Sequence, residues 1–181
     1  MIGLIHVYAG NGKGKTTACI GLAIRTAGAG KKVAFVQFDK GFSGEEHYSE
    51  RNILRQVPNI KMYITGAERV NPDKSFRYGV GQQDINEALK GLKIAKELIL
   101  KGDQFLLILD EILGCVAYGL LDKKDVMNII DVQKRYGKSE LILSGHTTWK
   151  ELTEKADLVT EFRNIKHYYD KGIPARRGIE Y

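Results

Sequence analysis

The sequence has few cysteines and no long apolar run, and each of these features excludes a class of protein. Its two cysteines, Cys19 and Cys115, lie far apart and lack the spacing of a metal or redox site. We expect both to be reduced, packed side chains. No stretch approaches the length of a membrane span, and the start of the chain resembles a strand rather than a signal peptide. These features predict a cytoplasmic protein without a membrane partner.

The chain has a basic excess without the pattern of a nucleic-acid-binding protein. Its formal net charge is +6 at pH 7, which fits either nucleic acid or a polyphosphate ligand with a basic surface. No block of consecutive basic residues and no RNA-binding motif of aromatic and basic residues appears. We therefore interpret the charge as a solvated basic surface and expect no nucleic-acid partner.

Apolar runs alternate with helical periods along the chain. Short apolar runs predict strands at residues 2–8, 33–38, 105–109, 141–144 and 158–162. Helical spacing predicts a helix over residues 85–99 that ends at Gly102. Asp122 and Gly137 bound a second predicted helix, and Thr148 with Glu151 has the form of a capping box for a third. This order predicts a single α/β domain, residues 1–181, with a doubly wound, mostly parallel sheet.

A glycine-rich stretch joins the first predicted strand to the first predicted helix, which is the context of a phosphate-binding P-loop. Its residues are Gly10, Asn11, Gly12, Lys13, Gly14, Lys15, Thr16 and Thr17. The glycines allow a tight turn that points backbone N–H groups inward, and the helix start adds a positive dipole end. Lys15 supplies a full charge, and the Thr16 hydroxyl can bind Mg²⁺. We therefore predict a P-loop NTPase-like fold that binds ATP at these residues.

One position departs from the strict P-loop pattern. That pattern has glycine five residues before Gly14, where this chain has Ala9. The alternative is a glycine-rich turn that only joins a strand to a helix. The order of strand, loop, Lys-Thr pair and helix favours phosphate binding over this alternative.

Two carboxylates follow the third predicted strand. Asp110 and Glu111 come directly after a buried apolar run, as in a Walker B element, and such folds bind ligands at the carboxyl ends of their strands. We predict that Thr16, Asp110 and Glu111 form the Mg²⁺ site, and which acid contacts the ion directly stays open. The alternative is an ordinary strand that ends in a solvated acidic pair.

The two motifs are compatible with kinases, ATPases, GTPases and other users of ATP. Phosphoryl transfer needs a placed nucleophile and often an arginine or glutamine near the γ-phosphate, for which Arg25 and Gln37 are candidates. The sequence has no Asn/Thr-Lys-x-Asp motif for guanine, which favours ATP over GTP.

Several segments resemble the P-loop type of ATP:corrinoid adenosyltransferases, which act in cobalamin synthesis and salvage. They are residues 10–17, 36–41, 109–112, 156–161, 166–167 and 172–181. The first and third are generic to P-loop proteins, whereas Ala-Asp-Leu-Val-Thr-Glu at 156–161 and the Gly-Ile-Glu ending are far more specific. The family usually has leucine where Asp39 stands and Gly-Arg where this chain has Gly145-His146.

The resemblance implies an enzyme in which a reduced Co(I) corrinoid attacks the 5′ carbon of ATP and triphosphate leaves. Because the nucleophile then belongs to the substrate, the protein needs to supply only orientation and charge stabilisation. Lys15 and Glu111 are expected to be the catalytic residues, and Lys15 and Mg²⁺ would offset the charge that grows on the triphosphate. The resemblance thus implies ATP and Mg²⁺ as cofactors and cob(I)alamin as the corrinoid substrate.

Residues outside the P-loop are also expected to contact the ligands. Lys40 follows the second strand at the ligand edge of the sheet and is expected to contact the ligands. Residues 66–83 have no clear period and predict a long loop, and such loops inside compact domains are usually functional or disordered. In that loop Phe76 and Tyr78 are similar to a family pair of aromatics that approaches the lower face of the corrin ring. The alternative is that both aromatics only anchor the loop.

The family further implies a homodimer and an electron donor protein such as a flavodoxin. Longer members carry a segment ahead of the first strand that covers the site, so we expect any lid here to come from elsewhere or from a partner subunit. Two alternatives to the adenosyltransferase stay open. One is a P-loop kinase or ATPase that releases ADP, and the other is a noncatalytic carrier of corrinoid or nucleotide.

Overall fold

The fold is built on one parallel sheet, seen in a computed structural model that describes residues 3–42, 48–68, 77 and 79–181. Six strands follow the order β3-β2-β4-β5-β1-β6, and all paired neighbours run parallel. The strands are β1 (Ile5–Ala9), β2 (Val33–Gln37), β3 (Ile60–Ile64), β4 (Leu106–Asp110), β5 (Glu140–Gly145) and β6 (Leu158–Glu161). This architecture confirms the predicted mostly parallel sheet.

Helices cover both faces of the sheet. They are α1 (Lys15–Gly28), α2 (Glu50–Leu54), α3 (Gln82–Lys101), α4 (Ile112–Ala117), α5 (Lys123–Tyr136) and α6 (Lys150–Lys155), with a 3₁₀ helix at Tyr168–Lys171. Helices α1 and α2 contribute to one apolar core, and α3 to α6 contribute to a second core on the opposite face. The predicted doubly wound arrangement is therefore confirmed.

Strand β4 shows why the central strands are continuous apolar runs. Leu106 and Ile108 belong to the core beside α1, and Leu107 and Leu109 belong to the core beside α3 and α5. Because successive side chains of a strand point to opposite faces, a strand covered on both sides must be apolar at every position. Asp110 is thus the first polar residue of the run, at the carboxyl edge of the sheet.

The predicted helix boundaries are mostly confirmed. Helix α3 ends at Gly102, whose φ of 63° is left-handed. At the start of α5 the Asp125 carboxylate accepts a hydrogen bond of 2.9 Å from the Asp122 N–H. The capping box predicted at Thr148 is wrong, because Trp149 is the N-cap residue of α6 and makes no side-chain cap bond.

Strand β3 was missed in the sequence. It lies at the edge of the sheet and pairs only with β2 among the described strands. Of its five residues only Ile60 is buried, so it has neither the continuous apolar run of a central strand nor a clean alternation. The short helices α2 and α4 were missed for a related reason, since five or six residues do not establish a helical period.

Both cysteines are buried and neither forms a disulfide, in agreement with the prediction of reduced, packed side chains. Burial, with the charge of Asp110, raises the pKa of the Cys19 thiol, which opposes nucleophilic chemistry at that residue. In the described part of the chain, no helix combines the length and apolarity needed to cross a bilayer.

Candidate active site

The predicted P-loop connects β1 to α1 at the carboxyl edge of the sheet. Two of its glycines have left-handed backbones, with φ of 127° at Gly10 and 115° at Gly14. A Cβ atom at Gly10 would lie 2.3 Å from the Phe162 carbonyl oxygen, so only glycine fits there. The glycine-rich composition is therefore a requirement of this tight turn beside β6.

The loop is anchored to the ends of the two strands that flank β1. The Gly10 N–H donates to the Gly145 carbonyl at 3.2 Å, and the Gly12 N–H donates to the Phe162 carbonyl at 2.8 Å. The Phe162 ring lies 3.6 Å from the position that a Cβ atom at Gly14 would occupy. The cradle is thus held in place before any ligand binds.

Lys15 folds back over the loop. Its ammonium group donates to the Gly10 carbonyl at 2.8 Å and to the Gly12 carbonyl at 2.9 Å. The residue is 6% exposed. Burial lowers the pKa of Lys15, opposed by the negative charges of Glu111 and Asp110. The ammonium group is therefore held at the centre of the cradle with few competing water contacts.

Asp110 lies at the centre of the polar cluster beside the loop, and its side chain is fully buried. The Thr16 hydroxyl donates to its two oxygens at 3.1 and 3.2 Å, and the Ser144 hydroxyl donates to Oδ1 at 2.7 Å. The Lys40 ammonium group donates to Oδ2 at 2.6 Å. These contacts satisfy a buried charge that would otherwise be costly.

Glu111 turns the chain from β4 into α4. Its φ of 64° is left-handed, and its N–H donates to the Ser144 hydroxyl at 2.9 Å. Burial first, and then the charge of Asp110, raises the pKa of the Glu111 carboxyl, against the lowering effect of Lys40, His146 and Lys15. Ser144 therefore contacts both residues of the predicted Walker B pair.

A polar cavity of about 360 Å³ lies over the loop. Its walls come from the P-loop, from the ends of β4 and β5, and from the end of the chain. The lining residues are Asn11, Gly12, Lys13, Gly14, Lys15, Thr16, Thr17, Glu111, His146, His167, Ile179 and Glu180. All eight predicted phosphate-binding residues except Gly10 line it, while Gly10 holds Lys15 through its carbonyl.

The end of the chain forms one wall of this cavity. The Lys13 ammonium group donates to the Ile179 carbonyl at 2.7 Å and lies 3.2 Å from Glu180 Oε1. Glu180 also accepts hydrogen bonds from the Tyr168 hydroxyl and from the Arg176 N–H. Together these contacts lower the pKa of Glu180 to about 2, the Tyr168 hydrogen bond having the largest effect.

A second cavity of about 170 Å³ adjoins the first through Glu111. It is lined by Phe38, Asp39, Lys40, Tyr48, Glu111, Gly114 and Tyr118. Tyr118 is also in tilted ring contact with His146, at a centroid distance of 6.2 Å. Glu111 thus lies between a polar compartment and one with aromatic walls.

Some predicted residues lie elsewhere. Arg25 is exposed in the last turn of α1, at the opposite end of that helix from the loop. Gln37 is fully buried, and its amide contacts Glu50 at 3.0 Å and Arg51 at 2.7 Å. Neither residue lines the cavity over the P-loop. Phe76 and Tyr78 lie outside the described residues.

Sequence reasoning missed Ser144, Arg51 and the role of Glu180. Ser144 lies near the end of β5, without a motif that marks it. Arg51 belongs to the short helix that was not predicted, and it is only 3% exposed. A signal for Glu180 was available in the family-specific ending of the chain, but which residue it would contact depends on folding across the whole sequence.

The chain matches, over residues 1–181, a family model described as ATP:corrinoid adenosyltransferase BtuR/CobO/CobP. It is 33% identical over 181 residues to the corrinoid adenosyltransferase of Pseudomonas aeruginosa, covering 99% of this chain and 84% of that protein. It is 34% identical over 179 residues to the corrinoid adenosyltransferase of Escherichia coli K12, covering 99% of this chain and 86% of that protein.

A solved structure with the same kind of fold is the assembled ATPase EscN from the enteropathogenic E. coli type III secretion system. The TM-score is 0.51 at 16% sequence identity, and the alignment covers 88% of this chain and 43% of that chain. This likeness concerns the fold alone and fits the predicted P-loop NTPase-like α/β fold.

Proposed function

The chain belongs to the ATP:corrinoid adenosyltransferase family, and from this premise we propose how its residues act. The enzyme transfers the 5′-deoxyadenosyl group of ATP to the cobalt of a reduced corrinoid. The cobalt electron pair forms the bond to C5′, the C5′–O bond breaks, and its electrons leave with triphosphate. The alternative of a kinase or ATPase is not favoured by the similarities.

The proposed roles rest on the polar cavity over the P-loop. Residues 11–17 of the loop line it, including Lys13 and Lys15. A departing triphosphate gains negative charge, which preorganised donors and cations stabilise without reorganisation. We propose that the P-loop binds this whole leaving group, with Lys15 as the central catalytic cation.

Mg²⁺ fits the cluster around Asp110. The Thr16 hydroxyl and the Asp110 carboxylate are hard oxygen donors within 3.2 Å of each other, as this ion requires. The Lys40 ammonium group already lies between them as a stand-in cation, 2.6 Å from Asp110 and 3.3 Å from Thr16. Bound there, Mg²⁺ would add charge stabilisation for the triphosphate. We propose Thr16 and Asp110 as direct ligands and Glu111 as a ligand through water.

Glu111 is proposed to orient the reacting groups. It lines both the phosphate cavity and the aromatic cavity, so it stands where the triphosphate and the reacting carbon would meet. Lys40 lines the second cavity and is proposed to contact the ligands there. Phe76 and Tyr78 remain proposed contacts to the lower face of the corrin ring. A Phe76→Ala variant that lost equal activity with Co(II) and pre-reduced Co(I) substrate would contradict that role.

The wider setting of the enzyme is also a proposal. Strand β6 is a sheet edge with exposed apolar residues, 41% for Leu158 and 45% for Val159, which supports a homodimer that covers them. A reduced corrinoid needs an electron donor protein, for which a flavodoxin is the proposed type, and the family supports a cytoplasmic location. Light scattering of the purified protein tests the dimer.

Product identification tests the function. The protein is mixed anaerobically with ATP, Mg²⁺ and chemically reduced cobalamin, and the products are analysed by mass spectrometry. We expect adenosylcobalamin and triphosphate in equal amounts. Release of ADP with unchanged corrinoid would instead identify a kinase or ATPase. Tight binding of adenosylcobalamin without turnover would identify a carrier.

A further inference from the structure

The Lys40 ammonium group occupies the space between the P-loop hydroxyl and the Walker B carboxylate. It lies 2.6 Å from Asp110 Oδ2 and 3.3 Å from the Thr16 hydroxyl oxygen. Its side chain is 12% exposed and that of Asp110 is 0% exposed. The contact is therefore a buried ion pair, and Lys40 contacts the same two oxygen-bearing side chains that we propose as metal ligands.

The backbone that carries Lys40 is held from behind by Arg51. This guanidinium group donates to the Lys40 carbonyl at 2.5 Å and to the Phe42 carbonyl at 2.9 Å. It also stacks on the Tyr48 ring, at 4.3 Å from the ring centroid. The Lys40 N–H donates to the Thr65 carbonyl at 3.0 Å. These contacts fix the main chain and leave only the lysine side chain to move.

We propose that Lys40 is a tethered cation that holds the divalent-ion position in the nucleotide-free protein and gives it up when the ion binds. A divalent ion and an ammonium group cannot share the same carboxylate oxygen without strong repulsion. The displaced ammonium group can move into the cavity of about 170 Å³ beside Glu111, because Lys40 also lines that cavity. Its charge would there face the Glu111 carboxylate, at the junction with the phosphate cavity.

The exchange of Lys40 for the divalent ion keeps the Asp110 carboxylate paired with a cation whether or not the ion is bound. A buried carboxylate without a counterion is strongly unfavourable, so the lysine protects the site whenever the ion is absent. The exchange also means that the free protein binds divalent ions weakly, because each ion must first displace Lys40. The inference depends on the proposed metal site at Thr16 and Asp110.

The test is Mn²⁺ binding to the nucleotide-free protein, measured by isothermal titration calorimetry and by the EPR signal of free Mn²⁺. We expect Lys40→Met to bind Mn²⁺ at least about tenfold more tightly than the wild type, since a competing cation is removed. Lys40→Arg keeps the charge and is expected to show no such gain. Lys13→Met removes a charge from the neighbouring polar cavity over the P-loop without contacting Asp110, and we expect less than about a twofold change.

The proposal would be overturned if Lys40→Met bound Mn²⁺ no more tightly than the wild type. If that variant does not fold, the wild type still provides a test through acetylation of Lys40, quantified by mass spectrometry with and without Mg²⁺. Displacement predicts faster acetylation with Mg²⁺, and an unchanged rate would contradict it. Both measurements omit ATP and corrinoid, so their failure is distinguishable from failure of the proposed reaction, which product analysis reports.

Discussion

Lys13 of the P-loop and Glu180 near the end of the chain form an ion pair, with 3.2 Å between Lys13 Nζ and Glu180 Oε1. The neighbouring hydrogen bond from Lys13 to the Ile179 carbonyl spans 166 residues of sequence. The pair places a carboxylate in the wall of the cavity that we propose for triphosphate. Ligand binding must therefore overcome one negative charge and compete with Glu180 for Lys13.

Glu180→Gln is expected to bind inorganic tripolyphosphate about two- to fivefold more tightly, the scale of a partly exposed ion pair. The variant removes a repelling charge and releases Lys13 for the ligand. Calorimetry provides the measurement. Asp103→Asn is the matched control, because Asp103 pairs with Lys101 next to the amino end of β4. Weaker binding in Glu180→Gln would show that the pair instead positions Lys13 for the ligand.

The pH dependence of this contact follows from the pKa of Glu180, which falls from 4.5 to about 2 in the folded chain. A lowered acid pKa means that the contacts of the ionised Glu180 carboxylate, the Tyr168 hydrogen bond first, stabilise the fold above about pH 4.5 and that this contribution is lost as the pH falls toward 2. Carbon-13 NMR of the Glu180 carboxyl is expected to show a midpoint near 2. In Tyr168→Phe the midpoint is expected to rise toward 4.5. An identical midpoint would exclude the Tyr168 hydroxyl as the main cause.

Lys15→Ala is expected to lower kcat/KM by about 100-fold or more, the scale for losing one preorganised donor to a developing anion. The loss is expected mainly in kcat, because the charge on triphosphate grows in the transition state. Steady-state adenosylcobalamin formation measures it, with Lys31→Ala as a remote control. A raised KM with normal kcat would mean that Lys15 binds ATP and the transition state equally.

Ser144→Ala is expected to lower kcat/KM by about 10-fold, because hydrogen bonds to charged groups contribute about 1.5–3 kcal/mol. The Ser144 hydroxyl donates to Asp110 and accepts from the Glu111 N–H, so its loss frees both residues to reorient. Ser144→Thr keeps the hydroxyl and is expected to restore activity and the Mg²⁺ concentration dependence. If Ser144→Thr is impaired as much as Ser144→Ala, the effect is one of packing alone.

Gly91→Ala is expected to destabilise the fold by about 1–3 kcal/mol, the usual range for overpacking. A Cβ atom at this position of α3 would lie 2.4 Å from the Phe38 ring. A Cβ atom at Gly21 in α1 would have no atom within 4 Å. Gly21→Ala is therefore expected to stabilise the fold by about 0.5–1 kcal/mol through helix propensity. Urea unfolding measures both. Equal effects of the two substitutions would contradict the close packing of α3 against Phe38.

Much of the fold was predictable because its signals are local. The continuous apolar run that ends at Asp110 follows from a strand covered on both faces, and the helix that ends at Gly102 follows from a period and a left-handed glycine. Strand β3 was not predictable in this way, since an edge strand with polar positions has a weak pattern. The P-loop was readable because its function requires a specific backbone, and only glycine adopts it.

The sequence by itself determined the class of fold, the phosphate loop and the family, because each is encoded by residues adjacent in the chain or at a fixed spacing. Only the tertiary structure decided that Lys40 would contact Asp110, that Ser144 would link Asp110 to Glu111, and that Glu180 would meet Lys13. These contacts join segments 33 to 167 residues apart. The physical reason is that parallel strands bring their carboxyl ends to one edge in an order that the chain order does not reveal.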